Sequence, residues 1–157
     1  MIPIQSLLNS LQAWAQEELA GQRRMIAILE RQEASICAND PAALAEATSS
    51  LEPELAAQSE RIDKRKRIFA VLAGHWSADP EALSLGSILE RSGPQPGLES
   101  LRTELRRSTT ELLRRNRRFA ALASAHRRLV EELVNALLQA ANPSSDPRGG
   151  SLVNAEA

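Results

Sequence analysis

The residues with which this chain could do chemistry are few, and their spacing does not converge. His75 and His126 are the only histidines, and neither stands in an HExxH or Glu-x-x-His arrangement. No metal site is expected from them. Cys37 is the single cysteine, which excludes an internal disulfide framework and a cysteine-rich zinc site. Near a helix end it is either a low-pKa thiol or a plain structural cysteine. "GQRR", "AGHW" and "PRGG" do not approach a phosphate-cradling glycine loop, and no nucleophile signature surrounds any serine. No catalytic residue, metal or cofactor is therefore expected.

Basic residues offer a second chemistry. "DKRKR" spans Asp63 to Arg67, and nine arginines lie between Leu101 and Arg128 against Glu104 and Glu111. On a helical wheel Arg107, Arg114 and Arg118 project to one side, with Arg106, Arg117 and Arg128 next to them. A nucleic-acid surface built this way would bind with steep salt dependence. Against it stand a balanced charge, 19 basic to 20 acidic residues, and an aromatic content of 3% with no aromatic interleaving for base stacking. Residues 1–60 carry three arginines against nine carboxylates. The preferred reading is an acidic helix beside a basic one, with the charges steering how helices pair.

The elements that must position these residues are helices. Leu, Ala, Glu, Arg and Gln dominate the composition and tyrosine is absent, which suits long helices and disfavours a sheet. A first helix is expected over about 5–37, with Leu8, Leu11, Ala15, Leu19, Met25, Ile26, Leu29 and Ile36 on one face. Gly21 interrupts it at a cost of about 1 kcal/mol. "NDPAAL" restarts the chain, with Asp40 as N-cap and Pro41 at the first helical position. This second helix continues to about His75, and Pro53 should kink or split it into 41–49 and a longer piece. A short helix is expected around 83–91, and a third long helix over about 98–141.

Along that last helix Leu101, Leu105, Leu112, Asn116, Phe119, Ala123, Val130, Val134 and Leu137 form one stripe. Asn116 thus sits on the packing front, where a polar residue fixes register. Beyond Arg128 the charge thins, and Leu129, Val130, Leu133, Val134, Leu137 and Leu138 make a strongly apolar segment. Either the bundle covers it or a partner helix does.

The expected fold is all-α, a single domain over 1–141. It is an elongated antiparallel bundle of three long helices with a short connecting helix. Residues 142–157 are read as a disordered tail. "MIPIQSLLNSLQAW" lacks the features of a signal peptide and no apolar run spans a bilayer, so a cytoplasmic protein with no membrane insertion is expected.

The order of segments resembles the FlgN family of bacterial flagellar export chaperones. The resemblance is carried by "LLNSLQAWAQEELAGQRRMIAILERQEASI", "NDPAALAEATSSLEPEL" and "SERIDKRKRIFAVLA". It continues through "ALSLGSILE" and "LRTELRRSTTELLRRNRRFAALASAHRRLVEELVNALL", covering about Leu7 to Leu138. Asn116 matches the family's asparagine after a leucine-rich turn, and Phe119 stands where the family often has a second. Thr48 and Ser49 stand where a lysine would be sought. The resemblance implies a chaperone that holds hook-associated (hook–filament junction) proteins unassembled and delivers them to the flagellar type III export apparatus. Clients would bind at the C-terminal amphipathic region, here Leu129 to Leu138. A non-catalytic coiled-coil adaptor or homodimeric structural protein shares every heptad and is the alternative; the chain is expected as monomer or homodimer.

Overall fold

The structure, a computed structural model, describes residues 3–141. Those residues form five α-helices and one short 3-10 turn. They are α1 (Ile4–Cys37), α2 (Pro41–Ser49), α3 (Leu51–Trp76), the 3-10 turn Pro80–Ala82, α4 (Leu85–Ser92) and α5 (Pro96–Ala141). The tail expected to be disordered, residues 142–157, lies outside the described residues.

Local chemistry explains the breaks. After α1 the chain turns through Asn39 at φ 52°, the left-handed conformation that asparagine tolerates. Asp40 N–H donates to Ser35 O and Asn39 N–H to Ile36 O, which closes a Schellman end. The Asp40 carboxylate then accepts from Ala43 N–H at 2.9 Å and starts α2, with Pro41 at its head. The expected split of the second helix falls at Ser50, so Pro53 occupies the first turn of α3. There its missing N–H has no intrahelical partner to lose. Farther on, Ser84 and Ser87 exchange capping hydrogen bonds and set the start of α4.

The long helices run up, down and up. α3 is antiparallel to α1: Lys64 meets Glu17, Arg61 meets Glu18 and Glu54 meets Arg24. α5 is parallel to α1: Thr109 meets Gln22, Arg115 meets Glu30 and Arg118 meets Glu33. α1 and α3 are thus antiparallel neighbours, while α1 and α5 lie side by side in the same direction. α1 packs on both α3 and α5, whereas α3 and α5 do not approach each other closely. α1 is therefore the central helix.

The main core fills one end, where Leu8, Leu11, Trp14, Leu72, Ile88 and Leu98 interlock. It joins the start of α1 and α5 to the end of α3 and to α4. Next to it lies a buried ionic cluster. Arg61, only 6% exposed, is held by Glu18 at 3.1 Å and Glu54 at 2.9 Å. Gln58 accepts from the same guanidinium at 2.7 Å, and Trp14 Nε1 donates to the Arg61 carbonyl at 2.8 Å. Burying a charge is tolerable only with such full pairing.

Candidate partner-binding site

The inward face of α5 is set by steps of seven, three and four residues. Leu105 is buried, and Leu112, Arg115 and Phe119 are half-buried. Each step returns to one side of a 3.6-residue helix. This side packs on α1, and the most distal ion pair between the two helices is Glu33 with Arg118 at 3.5 Å. At that register α1, which ends at Cys37, accompanies α5 to about residue 122, and α5 continues beyond it to Ala141, about 28 Å at 1.5 Å per residue.

All six apolar residues singled out in the sequence lie on this overhang. Leu129, Val130, Leu133, Val134, Leu137 and Leu138 are between 45% and 69% exposed. They cover about half of the helix circumference and continue the side that α5 turns to α1. The arrangement brings them together as one surface, and no described residue covers them. Among the alternatives posed by the sequence, burial of this segment by the bundle is not found among the described residues.

Asn116 corrects the sequence reading. It is exposed, not on the packing front. Asn116 is one residue past Arg115, about 100° farther around the helix, and that rotation carries it to the flank. The polar residue that faces α1 is Arg115. Its guanidinium reaches Glu30 at 2.9 Å, Glu33 at 3.7 Å and Glu111 at 2.8 Å. Glu33 is 7% exposed, so this contact takes place against a buried carboxylate. Recognising Arg115 from sequence needs the parallel register of α1 and α5, which no local pattern encodes. The acidic first half was the one available signal.

Two of the six arginines considered as a nucleic-acid surface are engaged within the bundle. Arg114 pairs with Glu111 at 2.7 Å, and Arg118 reaches Glu33. The hydrogen bonds from Arg114, and then from Arg115, hold the Glu111 carboxyl down to about 2. Charge pairing between an acidic α1 and a basic α5 is thus present at Glu30 and Glu33, as expected. Arg61 and its two buried carboxylates were not anticipated; its position just before "DKRKR" made it look like part of a solvated run.

The chemical residues stay apart. His75 ends α3, His126 lies on the overhang of α5 and Cys37 is exposed at the end of α1. Among the described residues no group of three or more His, Cys, Asp or Glu could hold a metal ion. No described helix is long and apolar enough to cross a membrane.

Comparison with known proteins gives a family. A family model described as FlgN protein matches residues 1–147. Neither the curated proteins nor the solved structures contain a match to the chain. With a match that spans most of its 157 residues, the chain belongs to the FlgN family of flagellar export chaperones.

Proposed function

We propose that this chain is a cytoplasmic chaperone that binds hook-associated (hook–filament junction) proteins through the overhang of α5 and hands them to the flagellar type III export apparatus. One observation carries the reading: the side of α5 that packs on α1 continues past the end of α1 as an exposed apolar surface. An amphipathic segment of the client lies where α1 would have continued, as a helix in a groove. Side chains that are half exposed gain on the order of 1 kcal/mol each when covered. Losses of motional freedom offset part of that sum. Covering the client's assembly surface in this way keeps it from polymerising early.

Co-expression with hook-associated proteins tests the site. Leu133→Asp with Leu137→Asp should abolish client pulldown while far-UV circular dichroism keeps its helical signal. Unchanged pulldown would remove the overhang as the binding site. A coiled-coil adaptor or homodimer would cover the same side with a second copy. Sedimentation showing a tight dimer that those two substitutions dissociate, with no client bound by the wild-type chain, would favour that reading instead.

A further inference from the structure

A second surface lies at the other end of the molecule. Because α1 separates α3 from α5, an open groove runs between those two helices with α1 as its floor. No Cα pair between α3 and α5 comes within 8 Å. The groove encloses about 990 Å³. Its apolar lining includes Trp14 on α1, Ile62 and Phe69 on α3, and Leu105 on α5. Ile62 remains 37% exposed there. The shape is that of a bundle position with no helix in it: helices pack at about 8–10 Å between axes, and two walls and a floor are already present.

The rim along α3 and α5 is basic. Arg65 and Lys66 line it from α3, Arg102 and Arg106 from α5. None of these four appears in an ion pair among the described residues, whereas the neighbouring Arg61, Lys64 and Arg115 each hold a carboxylate. The Arg65 guanidinium rests 5.8 Å from the centre of the Phe69 ring. Arg102 lies across the backbone of Gly86, where a β-carbon would come within 2.7 Å of its Nη2. The carboxylates of the lining are Glu18, already neutralised by Arg61, and Glu81 at the 3-10 turn.

We infer that this groove docks an acidic amphipathic helix of a protein partner, with its apolar side on Ile62 and Phe69 above the deeper Trp14 and Leu105, and its carboxylates against Arg65, Lys66, Arg102 and Arg106. An apolar strip between two unpaired basic rims is complementary to such a helix and repels a basic one. The deeply set Trp14, 5% exposed, leaves no aromatic ladder for nucleic-acid bases. The groove is about 40 Å along α5 from Leu133, at 1.5 Å per residue between Arg106 and that residue. A partner here and a client on the overhang can therefore be bound together.

The test uses the full chain carrying Leu133→Asp and Leu137→Asp, so that binding at the overhang is removed and cannot be confused with binding here. Trp76→Phe leaves Trp14 as the only tryptophan. The probe is a designed helical peptide of about five turns, with leucines along one side and glutamates and alanines on the others. We expect it to change Trp14 fluorescence, to bind more weakly as salt rises, and to lose about tenfold in affinity when Arg65→Glu and Arg106→Glu are combined. Ile62→Gln, which leaves the rim charges intact, should weaken it as well, with circular dichroism confirming the fold of both variants. The inference is overturned if the acidic peptide does not bind, if its lysine counterpart binds equally, if the double charge reversal leaves affinity unchanged, or if a single-stranded oligonucleotide binds more tightly.

Discussion

The guanidinium of Arg61 fills the space that a β-carbon on residue 21 would need: ideal Cβ geometry at Gly21 would stand 2.8 Å from Arg61 Nη1 and closer still to its Cζ and Nη2. A long side chain usually swings away from such a contact. Here it cannot without leaving Glu18 and Glu54, both buried beside it. The glycine that looked like a weak point in α1 is thus what lets α3 place a paired charge against the backbone of α1.

Gly21→Ala should therefore destabilise the chain, although the same change in an open helix stabilises by about 1 kcal/mol. A loss of about 1–3 kcal/mol is expected from overpacking, measured by urea unfolding. Arg61→Ala should cost more, about 3–5 kcal/mol, because two buried carboxylates lose their partner. With Arg61 already removed, Gly21→Ala should become neutral or stabilising. If the two effects simply add, the contact is not what holds glycine at this position.

A second pair of variants separates Arg115 from Asn116. Arg115 bridges Glu30 and Glu33, while Asn116 is exposed. Arg115→Ala should cost about 1–2 kcal/mol, chiefly because the buried Glu33 loses a countercharge. Asn116→Ala should stay within about 0.5 kcal/mol. The reverse order in thermal or urea unfolding would restore Asn116 as the register-setting residue. A loss of client binding on Asn116→Ala without loss of stability would instead make its exposed side part of the client surface.

These two residues show what was legible in the sequence. Helix boundaries were readable because Asp40, Pro41 and the Gly/Pro punctuation act locally, within a few residues. Leu129 to Leu138 were readable as an unusually apolar segment because charge thins past Arg128, while whether the bundle covers it depends on where α1 ends. Asn116 was misplaced because the eight apolar positions around it define a broad stripe, and its edges depend on which way a neighbour lies. The neighbour is α1, in parallel, and sequence periodicity says nothing about direction between helices far apart in the chain. The Arg61 cluster escaped for the same reason: its partners come from residues 18 and 54, and in one dimension it is merely another arginine.

Acid should weaken the fold through carboxylates held charged by arginines. Arg24, and then Arg61, hold the Glu54 carboxyl below its ordinary value, and the Arg114 and Arg115 hydrogen bonds bring that of Glu111 to about 2. A carboxyl that keeps its charge more firmly when folded stabilises the native state above its unfolded pKa. That contribution is lost as pH falls through the folded value. The urea midpoint should accordingly hold steady near neutrality and drop between the ordinary carboxyl value of 4.5 and about 2. Arg114→Ala should shift the Glu111 titration, followed by carbon-detected NMR of its carboxyl, upward toward 4.5. A titration that does not move would show that Arg114 is not the main cause.

The overhang of α5 should be dispensable for the fold of the rest. Residues 129–141 are all exposed, and the core lies at the opposite end around Leu11, Leu72, Ile88 and Leu98. Helical segments that pack on nothing draw little stability from tertiary contact and fray. A chain ending at Arg128 should keep its urea midpoint within about 0.5 kcal/mol, lose helical signal only in proportion to the residues removed, and fail to retain hook-associated proteins. A large loss of stability would mean that the overhang is covered in solution, by a second copy or by the chain itself. That result would move the client site elsewhere, because a surface already buried cannot be the one a client finds.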